Sequence, residues 1–204
     1  MPVNVGINGF GRIGRRALKA VQEIYGDQLR IAAINGRGDA IRNAHLLKHD
    51  STYGNFPGKV EAEDGAIIVN DDRIPFLNKS NPSEIPWSEY DVDIVMECTG
   101  KFRTIEAASG HRESGAKKVV ISSPGEDEDV TIVLGVNDNV YDPSRHHIIS
   151  NASCTTNCIA PVVKVMQDAF GIEHGFMTSI HAYTNDQRLL DSRHKDLRRA
   201  RAGA

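Results

Sequence analysis

Two stretches of the chain carry residue types at spacings that can do chemistry. The first reads SNASCTTNC, residues 150–158, and sets Cys154 and Cys158 four residues apart among small polar residues. A metal site needs converging cysteine or histidine pairs. The one further cysteine, Cys98, falls in a different predicted strand, so no metal is expected. A Cys154–Cys158 disulfide would have to span one helical turn in a reducing compartment and is not expected either. Two readings are left: both are small core residues, or one is a nucleophile. Position separates them. Ser153 is a natural N-cap, which makes Cys154 the first helical residue, where the helix dipole and unpaired N–H groups favour thiolate. The same N–H groups suit an oxyanion. Cys158 lies one turn further in, before Ile159 and Ala160, and is expected to be buried and neutral. A thiolate needs a base. Of eight histidines, His181 stands out because it ends an apolar run and opens a polar loop. The other seven read as solvated or packed.

The second stretch, Gly9-Phe10-Gly11-Arg12-Ile13-Gly14, fits G-x-G-x-x-G. The pattern alone is weak, but an apolar strand precedes it and an amphipathic helix follows, as a dinucleotide turn requires. Gly9 permits the tight turn, Gly11 lets a pyrophosphate approach the backbone, and Gly14 lets the helix pack on the sheet. The helix N-terminus then offers N–H groups to the phosphates. The second strand should end in a carboxylate for a ribose 2′-hydroxyl. It ends instead in Ile34-Asn35-Gly36-Arg37, with no carboxylate and one cation, which suits a 2′-phosphate and favours NADP over NAD. Asp39, three residues further on, serves only if the loop is unusual.

The elements that must position these residues follow from periodicity. Residues 3–8 and 29–34 predict buried strands, and residues 11–25 predict a helix with Ile13, Ala17, Leu18, Val21 and Ile24 on one face. Together they make one βαβ unit. Further strands are predicted at 66–69 and 73–77 (a hairpin), 92–98, 118–121, 131–135, 147–150 and 177–182. Helices are predicted at 43–49, 104–114 and 154–170. Strands alternating with helices predict an α/β fold, a Rossmann-type doubly wound parallel sheet, followed by the start of an α+β catalytic domain. The division expected is 1–150, dinucleotide-binding, and 151–204, catalytic and incomplete. Residues 186–201 are densely charged, either a solvated basic tail or part of a domain the chain leaves unfinished. The chain has 204 residues, 40% hydrophobic and 25% charged, with net charge −3. That balance gives no reason to expect nucleic acid or an anionic membrane as partner. With no signal-like start and no membrane-length apolar run, a cytoplasmic protein is expected.

The sequence resembles phosphorylating glyceraldehyde-3-phosphate dehydrogenase. The matching segments are NGFGRIGR (8–15), AHLLKHD (44–50), CTG (98–100), SNASCTTNCIAP (150–161), HAYTNDQ (181–187) and DLRRARA (196–202), in family order. The resemblance implies that Cys154 attacks the substrate aldehyde to give a thiohemiacetal. It implies that His181 is the base that helps Cys154 ionise and takes the hydroxyl proton during hydride transfer, and that inorganic phosphate cleaves the thioester. By position, Ser153, Thr155, Thr184 and Arg199 match substrate and phosphate contacts. Arg12, Ile13, Thr99, Gly100 and Ser122 match cofactor contacts, and Asn185 lies in a segment that reaches the cofactor. Gly36 stands where NAD forms carry Asp, and Ser192-Arg193 stands where they often carry Leu-Pro, both in favour of NADP or of dual use. Ser80 occupies a position that is often basic near the adenine. Family members run longer and are typically homotetramers, with the segment at 184–201 at a subunit interface. Glyceraldehyde 3-phosphate is the substrate implied. Erythrose 4-phosphate, and a nucleotide-binding module without turnover, are the alternatives.

Overall fold

A strand whose residues are apolar in continuous runs must be covered on both faces, and β1 (Val3–Asn8) is buried from Val5 to its end. It is the centre of the sheet in the computed structural model, which describes residues 1–203. After it come α1 (Arg12–Ala20), β2 (Leu29–Asn35), α2 (Ala40–Lys48), β3 (His49–Asp50), β4 (Gly54–Asn55), β5 (Val60–Glu63), β6 (Ala66–Val69), β7 (Asp72–Leu77), β8 (Ile94–Glu97), α3 (Ile105–Glu113), β9 (Lys118–Ile121), β10 (Val130–Thr131), β11 (Ile148–Ser150) and α4 (Cys154–Phe170). The nine-stranded sheet runs β10-β11-β9-β8-β1-β2-β7-β6-β5, and β3 and β4 pair separately. Every pairing from β10 to β7 is parallel, while β5, β6 and β7 form an antiparallel edge.

Hydrophobic clusters pack around this sheet. One joins Val5 and Ile7 of β1 to Leu18 of α1 and Ala44 and Leu47 of α2. A second gathers Ala33, Val95, Ile85, Trp87 and Val92, and a third joins Ala108 of α3 to Val119, Ile121 and Ile148. Between Val5 and Gly6 the register with β2 slips by one residue, Val5 facing Ile31 and Gly6 facing Ala33. This bulge explains why Ile31 and Ile34, three apart, share the first cluster while Ala33 joins the second.

Several expectations need correction. The helix predicted at 43–49 starts at Ala40, because Asp39 caps it by accepting from Arg42 N at 2.8 Å. Beyond Ala20 the first helix turns π-helical, at Val21–Tyr25. Of the strand predicted at 131–135 only Thr131 lies in a strand, β10, which starts at Val130, since Asn137 takes up Val133 N and a tight turn follows. Residues 177–182 form no strand. Their backbone has no ladder partner among the described residues, and Ile180 is fully exposed.

The described chain falls into two units, Met1–Val165 and the residues from Met166 on. The second is mostly irregular and held by polar contacts. Asp186 pairs with Arg199 and with His194 Nε2 at 3.2 Å, and Arg188 N donates to Arg199 O at 3.0 Å. Among the described residues no helix is long and apolar enough to cross a membrane.

Candidate functional site

Parallel strands end on one edge of a sheet, and that edge collects the predicted residues of the first unit. Gly9 to Gly14 follow β1, Gly36 and Arg37 follow β2, Thr99 and Gly100 follow β8, Ser122 follows β9, and Ser153 to Thr155 follow β11. The strand order reverses between β1, which leads to β2, and β8, which leads to β9. Ligands of open α/β sheets bind at such a reversal.

The glycine turn has the shape its spacing predicts. Gly9 has φ +97°, and a Cβ there would stand 2.7 Å from Thr99 N. A Cβ on Gly11 would meet nothing within 4 Å, so open space fronts the turn. No side chain caps α1, and its first turn holds no acidic residue. Uncapped N–H groups before open space fit a pyrophosphate. Phe10 packs edge-on against Phe76, Ile13 is exposed, and Arg12 reaches Asp50 at 3.3 Å.

At the end of β2, a Cβ on Gly36 would meet Phe76 Cζ at 3.0 Å, and Arg37 is exposed. Asp39 is committed to α2: besides capping it, the carboxylate pairs with Arg42 at 3.0 Å. Beside Thr99, burial pushes the Cys98 thiol up to about 12.

The segment SNASCTTNC forms a polar elbow. Ala152 takes the left-handed conformation, φ +56°. Ser150 Oγ accepts from Ala152 N at 3.0 Å and donates to Ser123 O. Ser153 Oγ accepts from Thr156 N at 2.9 Å, and Asn157 Nδ2 ties back to Asn151 O at 2.7 Å and Ser153 O at 3.0 Å. The small polar residues thus hold the turn, and Cys154 opens α4 exposed at its N-terminus. Cys158 is exposed as well, against the expected burial, because no side chain of α4 is buried among the described residues.

In the second unit His181 is exposed, with Nδ1 2.5 Å from Ala182 O. Thr184 N donates to Gln187 Oε1 at 3.0 Å, Asn185 O accepts from Arg188, and Arg199 is paired with Asp186. Sequence reasoning missed Asn8, Asn35, Glu97 and His111, all buried behind the sheet edge. The available signal was a carboxylate, Glu97, at the end of an otherwise apolar strand.

Fold and edge together define a dinucleotide-binding α/β protein that presents a cysteine where its parallel strands end. The profile described as "Glyceraldehyde 3-phosphate dehydrogenase, NAD binding domain" matches residues 3–105, and that described as "Glyceraldehyde 3-phosphate dehydrogenase, C-terminal domain" matches residues 153–204. The chain belongs to the glyceraldehyde 3-phosphate dehydrogenase family. It is 54% identical to glyceraldehyde-3-phosphate dehydrogenase 2 of Bacillus subtilis over 202 residues, 99% of this chain and 59% of that protein. It is 54% identical to the Streptomyces coelicolor enzyme over 204 residues, 100% of this chain and 60% of that one. Against the Geobacillus stearothermophilus enzyme the figure is 52%, with 100% and 60% covered. The chain spans about three fifths of the length of the curated relatives it matches.

Proposed function

We propose that the chain carries the nucleotide-binding part and the nucleophile of an NAD(P)-dependent oxidoreductase that converts glyceraldehyde 3-phosphate and inorganic phosphate to 1,3-bisphosphoglycerate. The observation that carries this reading is Cys154 opening α4 on the strand-end edge that also bears the Gly9–Gly14 turn. The relatives named glyceraldehyde-3-phosphate dehydrogenase support it. Residues 1–150 form the nucleotide domain and 151–204 the beginning of the catalytic domain, in a cytoplasmic enzyme that is a homotetramer at full length.

In this reading Cys154 attacks the aldehyde carbon, forming a C–S bond. Helix N-terminal N–H groups favour both the thiolate and the oxygen that becomes negative on attack. His181 accepts the hydroxyl proton of the resulting thiohemiacetal. When bound, the dinucleotide supplies the two-electron oxidant that converts the thiohemiacetal to a thioester. Phosphate then displaces Cys154 and leaves as an acyl phosphate. Ser153, Thr155, Thr184 and Arg199 hold the substrate and attacking phosphate, and Asn185 reaches the nucleotide. Residues 9–14 would hold the phosphates of the nucleotide, and Thr99, Gly100 and Ser122 would line its crevice. Gly36, exposed Arg37 and the prior commitment of Asp39 favour NADP over NAD.

The test is formation of reduced dinucleotide from glyceraldehyde 3-phosphate and phosphate, beside Cys154→Ser. Turnover that Cys154→Ser abolishes supports the reading. Turnover that survives it excludes the nucleophile. Faster turnover of erythrose 4-phosphate reassigns the substrate, and binding of dinucleotide without turnover reduces the chain to a nucleotide-binding module.

A further inference from the structure

Behind the sheet edge lies a polar chain of which only Thr99 has a role above. Glu97, at the end of β8, is 1% exposed and stands among donors only. Its Oε2 accepts from Asn8 Nδ2 at 2.5 Å and lies 3.1 Å from His111 Nε2. Its Oε1 accepts from Thr99 N at 2.7 Å and from the Thr99 hydroxyl. The chain extends both ways. Asn35 Nδ2 donates to Asn8 Oδ1 at 2.7 Å and to Lys79 O at 3.0 Å, and Lys79 N returns to Asn35 Oδ1 at 2.8 Å. At the other end Trp87 Nε1 lies 2.9 Å from His111 Nδ1. The Trp87 ring packs over β1 at Gly6, where a Cβ would stand 2.7 Å from Cζ3.

Donor chemistry fixes the direction of this chain. An indole N–H only donates, so His111 Nδ1 accepts and the ring proton sits on Nε2, pointing at Glu97. The 3.4 Å approach of Asn8 Nδ2 to His111 Nε2 is then two donors sharing one acceptor. Four residues of this chain lead into different walls of the crevice. Asn8 leads into the glycine turn, Asn35 into Gly36, and Thr99 into Gly100, while Lys79 follows β7. Thr99 N is also the atom that lies 2.7 Å from where a Gly9 Cβ would be.

We propose that Glu97 is the positioning residue of the dinucleotide crevice: its carboxylate holds Thr99 and Gly100 against the Gly9 turn, and His111, fixed by Trp87, holds the carboxylate. The inference rests on the dinucleotide reading above. A carboxylate satisfies donors on both oxygens, whereas a glutamine amide in its place turns an NH2 group toward a donor whichever way it is flipped. Since Trp87 occupies Nδ1, His111 cannot change tautomer to compensate.

The experiment measures NADP and NAD affinity of the full chain, by titration calorimetry, for the parent, Glu97→Gln, His111→Leu and His111→Gln. Circular dichroism checks the fold, and emission of Trp87, the chain's one tryptophan, reports the network. Glu97→Gln is expected to weaken binding about tenfold, the loss of one hydrogen bond to a charged group. His111→Leu should weaken binding similarly and shift Trp87 emission. His111→Gln, whose amide can accept from Trp87 and donate to Glu97, should restore most of the affinity. If Glu97→Gln does not fold, the leucine and glutamine pair at His111 decides. Folded variants that shift Trp87 emission yet bind like the parent overturn this inference alone. A parent that binds neither dinucleotide overturns the site itself, and this inference with it.

Discussion

The carbonyl oxygen of Gly9 stands 2.3 Å from the point a Cβ on Gly14 would occupy. Gly14 is therefore a packing glycine, fixed by the turn before its own helix. Gly11 is the opposite case, with nothing within 4 Å of its Cβ position. The two substitutions should separate cleanly. Gly14→Ala is expected to destabilise the fold by about 1–3 kcal/mol through overpacking against backbone. Gly11→Ala should leave the melting temperature in place and weaken dinucleotide binding by about tenfold or more, because the methyl enters the path of the pyrophosphate. Thermal denaturation and titration calorimetry on both variants check this. A Gly11→Ala chain that binds like the parent would show that the open space is not a phosphate site.

In the proposed reading, cofactor choice turns on one exposed cation and one occupied carboxylate. Asp39 already caps α2 and pairs with Arg42, so a ribose hydroxyl would have to compete for it. Arg37 is exposed just beyond β2. NADP is expected to bind more tightly than NAD, and Arg37→Ala should remove that advantage, a loss of about tenfold for NADP with little change for NAD. Parallel titrations of both dinucleotides read the result. Tighter binding of NAD by the parent would refute the assignment of Gly36 and Arg37.

The strand-end edge was legible in the sequence because its signals are local. Gly9, Gly11 and Gly14 depend on a turn a few residues long, and Ser153 followed by Cys154 marks a helix start within one turn. The fourth helix was predicted with the bounds observed, Cys154–Phe170. Other features were not legible because they depend on residues far apart. Asn8 and Glu97 meet only when β1 and β8 pair, 89 residues apart. The slip of β2 against β1 appears only in the register between two strands. Burial failed for a related reason: Ile159 and Ala160 look like core, but what a helix face packs against is not encoded in that face. The predicted strand at 177–182 failed alike, since an apolar run becomes a strand only beside a partner.

Thiol reactivity should rank by position. Burial holds Cys98 up at about 12, while Cys154 and Cys158 are exposed. In the native chain at pH 8, a maleimide or disulfide reagent is expected to modify Cys154 and Cys158 and spare Cys98, which should react only after denaturation in urea. Cys154 should react first, since it sits at the helix terminus and Cys158 one turn inside. Peptide mapping after short exposures gives the order. Equal rates at the two exposed thiols would remove the argument that the helix terminus activates Cys154.

Acid should loosen the joint between the first helix and the loop after the second. The backbone N–H groups of Thr52 and Tyr53, with Arg12 beside them, hold Asp50 down at about 2. Buried Lys19 lies 3.9 Å from its other oxygen. A carboxylate depressed by folding contributes stability above its unfolded value, about 3.9, and loses that contribution as pH falls through the interval toward 2. Urea midpoints measured from pH 6 to pH 2 should therefore drop most steeply below about pH 4. Asp50→Asn keeps an oxygen for Thr52 and Tyr53 but removes the charge. It should lower the midpoint near neutral pH, by leaving Lys19 and Arg12 without this carboxylate, and flatten the part of the acid limb that Asp50 supplies. An acid limb equally steep in Asp50→Asn would assign the loss to other depressed carboxylates, among them Asp196, held at about 2 by Arg198.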